Sequence, residues 1–335
     1  MCLAANGGET SMKSMKSMKS MKSMKEKTLT CPAKKNNFLK KLNDSKYLLL
    51  MVIPVMIYYF LFSYLPMYGI TIAFKQYSPF KGYIASPWVG FKHFKTFSEY
   101  PFAWRLIKNT FLLSLYSLLW GFPAPIIFAL ILNEVKNERG KKFVQTITYM
   151  PHFISTVVIV SMLTMFLSPS TGVFNKFIVS LGFEKVNFMS DARYFRSIYI
   201  ASGIWSGVGW GAIIYLAALS NIDPTLYESA MIDGANKLQK IIHINIPCIA
   251  PTIITLLILR TGNLMSVGFE KAFLLQGTIN FEVSDVIQTY VYRSGIKGGQ
   301  MSYATAIGLF NSIVNILFLL SANYLSRRVN ETSLW

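Results

Sequence analysis

The sequence predicts an all-α integral membrane protein with six transmembrane helices, and three observations carry that prediction. Of the 335 residues, 53% are hydrophobic and 14% are charged, with a mean hydropathy of +0.40, whereas a soluble domain carries about a quarter charged residues. The missing charge is missing from long runs, each near the ~20 residues that a helix needs to cross a hydrocarbon core of about 30 Å. Six such runs occur in this one chain. They leave little sequence for a soluble domain.

In chain order, a basic low-complexity segment comes first, residues 1–46. Ser-Met-Lys repeats from Ser11 to Lys25, and Met1 to Lys46 holds eleven Lys against Glu9, Glu26 and Asp44. Such a composition buries too little apolar surface to fold, which predicts a solvated tail that keeps this end in the cytoplasm. Attraction to anionic lipid headgroups is its other reading. The first apolar run has no small-residue cleavage site and is too long for a signal peptide.

Residues 47–335 are the membrane domain, with spans from Tyr47 to Phe74, Asn109 to Leu132, Phe143 to Leu167, Ile198 to Leu219, Pro247 to Val267 and Tyr303 to Leu325. The second contains Gly121, Pro123 and Pro125, which membrane helices tolerate when neighbours satisfy the freed carbonyls. In the fourth, Gly203, Gly207 and Gly211 recur at every fourth position, a face that a neighbouring helix can approach closely. Trp205 and Trp210 flank that ridge. The fifth places Arg260 near its middle with Asn263 one turn on. A charge at that depth is costly and faces a cavity or a partner subunit.

Charge sets the orientation. The Lys-rich start, the loop with Lys136, Arg139, Lys141 and Lys142, and the terminal Arg327 and Arg328 place both ends inside. Without the tail, the loops assigned outside hold thirteen Lys and Arg against eight inside. The tail and the short second loop therefore carry the assignment, and the loop 220–246 falls in the cytoplasm.

That loop is polar and rich in small residues. Asp223-Pro224 is a helix start, since the Asp side chain accepts an amide hydrogen bond and Pro at the first position gives up an NH that would be unpaired anyway. A short helix from Pro224 to Asp233 is predicted, ended by Gly234 in the left-handed conformation. Ala235 to His243 forms a second helical stretch, and Pro247 opens the next span. Ser229, Ala230 and Ala235 leave a slim surface that can enter a groove, and Glu228 and Asp233 supply acceptors. The same features also describe an ordinary capped elbow.

Other chemistry is thin. Cys2, Cys31 and Cys248 show no metal-ligand spacing, and His93, His152 and His243 are scattered. No Gly-x-x-x-x-Gly-Lys-Ser/Thr run occurs. The chain is therefore expected to be no enzyme, with no catalytic residue, metal ligand or cofactor of its own and no nucleic-acid partner. If work is done here, its energy enters through a partner.

The order Glu228-Ser229-Ala230, three residues, Gly234, nine residues, Ile244-Asn245-Ile246-Pro247 resembles the EAA signature of permease subunits in bacterial ABC importers. Ser229 and Ile246 stand where that signature has Ala and Leu, small changes in volume and polarity. The resemblance extends to Gln145-Thr146-Ile147-Thr148-Tyr149-Met150-Pro151, Tyr215-Leu216-Ala217-Ala218-Leu219, Gly268-Phe269-Glu270, Ser284-Asp285-Val286-Ile287 and the closing Ser333-Leu334-Trp335. Together these are similar to the LplB-type carbohydrate permeases of the MalF-like branch, often associated with uronate oligosaccharides or polysaccharides. The resemblance implies the type I ABC importer permease fold in a bacterial inner membrane. It also implies a second, different permease subunit, two ATPase subunits that hold ATP and Mg, an extracytoplasmic solute-binding protein and a carbohydrate substrate. Glu228, Ser229, Ala230, Asp233, Gly234 and Ala235 would then dock in the ATPase cleft and transmit its closing. Arg260, Asn263, Trp205 and Trp210 become candidates for the translocation pathway, the tryptophans by stacking on sugar. Packing or interfacial anchoring is the other role for these rings.

The thirteen outer cations, against six acidic residues, leave an excess of seven positive charges where substrate arrives. A positive field there attracts polyanions, which suits an acidic, alginate-like saccharide, although the same charges could grip the binding protein or lipid headgroups. A secondary transporter would instead show repeated halves with interrupted helices; no such internal similarity is visible. A membrane-bound enzyme would need a nucleophile, paired carboxylates or a metal set.

Overall fold

The computed structural model describes residues 46–330. The Ser-Met-Lys tail, Cys2, Cys31 and the closing Ser333-Leu334-Trp335 lie outside the described residues. The chain divides into two compact units, Met1–Met67 and Tyr68–Trp335. Among the described residues the regular elements are helices, and the one extended pairing is an isolated bridge between Lys75 and Trp88.

Five helices are long and apolar enough to cross a membrane: Lys46–Phe74, Ala103–Asn133, Ala192–Ser220, Lys237–Thr261 and Met301–Arg328. Glu138–Phe153 and Thr156–Phe166 make a sixth if that pair, bent by 102°, is counted as one span. The all-helical membrane architecture is as predicted. The predicted third span is not straight: Pro151 lies in a short 3-10 turn, Met150–Phe153, Ile154 is extended, and Ser155 starts a new helix by accepting from the Val158 amide at 3.4 Å. The sequence reads as one run through this corner because Phe143 to Leu167 contains no Asp, Glu, Lys or Arg.

In the first unit, helix α1 (Lys46–Tyr59) passes into a π turn, Phe60–Tyr64, where Leu65 N–H bonds the Phe60 carbonyl. Pro66 follows. In the second unit, α2 (Ala103–Gly121) continues as α3 (Pro123–Asn133). It begins six residues before the predicted span. Arg105 and Lys108 end the apolar run without ending the helix; the Arg105 guanidinium lies 4.3 Å from the Phe102 ring centroid. After α4 (Glu138–Tyr149) and α5 (Thr156–Phe166) comes α6 (Ala192–Ser220), which Asp191 caps through the Arg193 amide at 2.9 Å.

Then follow α7 (Pro224–Ile232), α8 (Lys237–Lys240), a π turn (Ile241–Asn245) and α9 (Ile246–Thr261). Pro247 was expected to open a span; instead the helix runs through it from Lys237. The π turn makes this possible, as Ile246 N–H bonds the Ile241 carbonyl immediately before the proline. The fifth span ends at Thr261, short of the predicted Val267, with Gly262 as its cap. A short helix α10 (Phe269–Leu275) and the 30-residue α11 (Met301–Asn330) complete the elements used below.

Three apolar clusters hold the second unit together. Leu113, Phe195, Tyr199 and Val286 belong to one, and Leu106, Ile287, Tyr303 and Ile307 to another. The third joins Ala129, Ala212, Tyr215 and Ile249 of α3, α6 and α9. Large apolar side chains such as Ile131, Ile214, Leu259 and Leu317 remain exposed on the long helices, as lipid-facing surfaces require.

Candidate functional site

Two places collect the residues singled out from the sequence. The first is α7 and its flanks. The Asp223 carboxylate accepts from the Thr225 amide at 2.9 Å, which holds its carboxyl below the usual carboxylate range. The helix ends as expected: Gly234 has φ +74°, its N–H bonds Met231, and Ala235 N–H reaches back to the Ala230 carbonyl at 2.8 Å. This six-to-one bond is the mark of a left-handed glycine cap. Asn236 and Gln239 then cap α8 reciprocally, at 2.8 and 2.9 Å.

Glu228, Ser229, Asp233 and Gly234 are exposed, while Ala230 and Ala235 are half-buried. Beside them stand exposed Leu226, Met231, Leu238 and Ile232, the last at 88% exposure. Together these side chains form an exposed apolar face. One bond fastens the element to the helix beyond it: the Tyr227 hydroxyl donates to Asn245 Oδ1 at 2.6 Å. Asn245 is fully buried, and its Nδ2 has no hydrogen-bond partner. Burial above all, with Cys248 and Glu134 adding to it, pushes the Tyr227 hydroxyl pKa up. Glu134 follows α3, so the second loop and α7 meet at the same end of the unit.

The second place is a cavity of about 280 Å³ walled by α2, α3, α6 and the end of α9. Arg260 and Asn263 line it together with Gly203, Gly207, Gly211, Ser114, Ser117 and Ser266. Arg260 is not mid-helix, as expected from the run, but the penultimate residue of α9; Asn263 lies beyond the helix, its side chain bonded to the Leu259 carbonyl at 3.3 Å. The helix stops there because Gly262 caps it and the next residues find partners elsewhere. Met265 N–H bonds Asn315 Oδ1 at 2.7 Å, and the Met265 carbonyl accepts from Gln288 at 2.8 Å. Among the described residues no carboxylate lies within 4.0 Å of Arg260. Its position in the last turn lets it complement the carbonyl end of α9.

The glycine ridge does part of what its spacing suggests. A Cβ at Gly207 would meet nothing within 4 Å, but one at Gly211 would press on Pro125 of α3 at 3.0 Å. The close approach of a neighbouring backbone occurs at buried Gly209, where a Cβ would collide with the Thr148 carbonyl at the end of α4. The ridge also forms a wall of the cavity. Gly203 also makes room for Lys271, whose Nζ would lie 3.3 Å from a Cβ there. That ammonium, on α10 outside the spans, donates to the Tyr199 carbonyl at 2.7 Å and lies 4.7 Å from the Tyr199 ring centroid. Burial pushes the Lys271 pKa down to about 8.

Neither Trp205 nor Trp210 lines the cavity. Trp210 stacks on His152 at 4.5 Å and meets Phe153 edge-on, so it packs on the corner between α4 and α5. Sequence reading also missed a polar clamp. Asn109 Nδ2 donates to the carbonyls of Glu282 and Asp285 at 2.7 and 3.1 Å, and Thr110 Oγ1 accepts from the Ile287 amide at 2.9 Å. Asp285, only 2% exposed, pairs with Arg293 at 2.8 Å and accepts from Thr289 at 2.9 Å. The one available signal was the placement of Asn109 and Thr110 inside an apolar run.

Residues 121–331 match the family of binding-protein-dependent transport system inner membrane components. The chain is 44% identical over 299 residues to Protein LplB of Bacillus subtilis (strain 168), covering 89% of this chain and 94% of that protein. It is 45% identical over 302 residues to the polygalacturonan/rhamnogalacturonan transport system permease protein YteP of the same organism, covering 90% and 94%. Among solved structures, a bacterial ABC transporter involved in the import of the acidic polysaccharide alginate contains a similar chain. The TM-score is 0.81 at 44% identity, with 88% of this chain and 100% of that chain covered. The alginate ABC transporter in complex with alginate pentasaccharide-bound periplasmic protein matches at the same TM-score, 0.81, and identity, 44%.

Proposed function

This chain belongs to the family of binding-protein-dependent transport system inner membrane components, and from that premise we propose that it is one permease subunit of an ATP-driven importer of acidic, uronate-containing oligo- or polysaccharides. The observation that carries the substrate reading is Arg260, a cation without a carboxylate partner among the described residues, on the wall of a cavity that it shares with Asn263, three serines, several glycines and apolar side chains such as Leu118, Ile200 and Val267. A carboxylate on a sugar ring is its natural complement, since guanidinium and carboxylate match in bidentate geometry. A relative named for polygalacturonan transport and a similar chain in an importer of the acidic polysaccharide alginate support the same choice.

Hydrolysis of ATP with its Mg lies on two partner subunits, and the exposed face of α7 with Glu228, Ser229, Asp233 and Gly234 docks in their cleft. A second permease subunit completes the pathway, and an extracytoplasmic binding protein delivers the substrate. Both termini and α7 lie on the cytoplasmic side. The test is ATPase stimulation of the reconstituted complex by uronate oligomers and by neutral oligomers of equal length, each with binding protein, in wild type and Arg260→Met. Wild type should respond to uronates, and Arg260→Met should need about tenfold more for half-maximal stimulation, as expected for one lost charge-assisted contact. Equal stimulation by neutral sugars would remove the acidic reading.

A further inference from the structure

Outside the cavity, α2 and α6 enclose a groove of about 450 Å³ that contains Tyr116, Trp120, Arg193, Arg196, Ile200 and Ile204. Ile200 and Ile204 also line the cavity, so the two spaces share one wall. The two arginines differ. Arg193 is neutralised by Asp191 at 2.7 Å. Arg196 has no carboxylate within 4.0 Å among the described residues; one NH2 donates to Asn109 Oδ1 at 3.3 Å, and its buried Nε has no partner. Asn109 is itself fixed by two backbone carbonyls, so the guanidinium is oriented with donors to spare. Trp120, on the same groove, is 67% exposed.

We propose that this groove is a second saccharide subsite, in which Trp120 and Tyr116 carry the apolar face of a sugar ring and Arg196 pairs with its carboxylate, while the cavity with Arg260 holds a neighbouring residue of the same chain. The inference rests on the acidic-saccharide reading above and gives it a length dependence. An aromatic face beside a guanidinium that has no carboxylate partner among the described residues suits a ring that is apolar on one side and anionic at its edge. A short substrate fills the cavity alone. A long one occupies both spaces.

The experiment measures half-maximal ATPase stimulation of the reconstituted complex, with binding protein, by a uronate disaccharide and a uronate hexasaccharide. Trp120→Ala and Arg196→Met should each raise the value for the hexasaccharide about tenfold and leave the disaccharide within twofold. Trp120→Phe should restore it. Equal loss for both lengths, or no change for either while wild type still prefers uronates, would overturn the subsite alone. Stimulation of wild type by neutral oligomers, with Trp120→Ala still harmful and Arg196→Met silent, would instead mean that the acidic reading has failed and the Arg196 pairing with it. A loss present in phosphatidylglycerol vesicles and absent in phosphatidylcholine vesicles would assign the groove to a lipid headgroup and overturn the proposal.

Discussion

Substitution at Gly234 isolates the contribution of the α7 cap, because no atom lies within 4 Å of the place a Cβ would take. A new side chain meets no neighbour there, and its effect is confined to the backbone, which sits at φ +74°. For alanine the left-handed conformation costs about 1–2 kcal/mol, which moves the balance against the capped turn by a factor of roughly 5–30. Asparagine visits the same region at smaller cost, because its amide bonds locally. Proline cannot follow: its ring holds φ near about −65°, and it removes the N–H that Gly234 donates to Met231 at 3.1 Å. Substrate-stimulated ATPase activity of the reconstituted complex should therefore fall in the order wild type, Gly234→Asn, Gly234→Ala, Gly234→Pro. The alanine variant should lie several-fold down and the proline variant at the unstimulated rate, with membrane insertion equal in all four. Normal stimulation in Gly234→Pro would refute the assignment of α7 as the docking element.

Three further outcomes are expected. Gly209→Ala should lower the thermal midpoint of the purified complex, since a Cβ there meets the Thr148 backbone and overpacking costs about 1–3 kcal/mol; Gly207→Ala should be neutral, and the reverse ranking would contradict the packing described. Lys271 has its pKa lowered from 10.5 to about 8 by burial, so between those values the unfolded chain binds more protons than the folded one. Folded stability should rise with pH across that window, and the part of the rise due to Lys271 should vanish in Lys271→Met, which a pH series of midpoints on both proteins measures. Arg293→Met leaves Asp285, 2% exposed, without its cation, a loss on the order of 3 kcal/mol; limited proteolysis should then cut between residues 276 and 300, and unchanged protection there would show that the clamp does not depend on the pair.

Local chemistry was legible in the sequence. Asp223, Pro224 and Gly234 act within one or two helical turns of themselves, and the helix they bound is where those residue types put it. The apolar runs were equally plain, since the bilayer demands them. Corners and partners were not. The bend at Pro151 and Ser155 sits inside a run with no Asp, Glu, Lys or Arg from Phe143 to Leu167, so a reading by charge alone passes over it. The glycines at every fourth position in α6 suggested a packing ridge, yet the closest backbone contact falls on Gly209, two positions off the repeat, because α4 crosses there. Trp205 and Trp210 drew attention because they flank that ridge, whereas the tryptophan on the groove beside the cavity is Trp120 on another helix. Asn109, Asp285 and Arg196 meet across 87 or more residues of chain, and nothing in a single sequence records such pairings.

The two functional places are joined by one covalent element. Lys237–Thr261 is a continuous helix of 25 residues, about 37 Å long at 1.5 Å per residue. In its first half Asn245 receives the Tyr227 hydroxyl from α7, and near its far end Arg260 lines the cavity. The π turn at Ile241–Asn245 lies where α7 is fastened, and such turns widen the helix at a single point without breaking it. If α7 docks as proposed, its displacement would reach the cavity wall along a rod, with no chain of side-chain contacts in between. The buried and otherwise unpartnered Asn245 amide marks the joint: Tyr227→Phe removes its bond while leaving the exposed, proposed docking face of α7 intact. That variant should therefore retain ATPase subunit binding and lose stimulation by substrate. Loss of both together would place Tyr227 in the docking surface itself, and retention of both would show that the joint carries no signal.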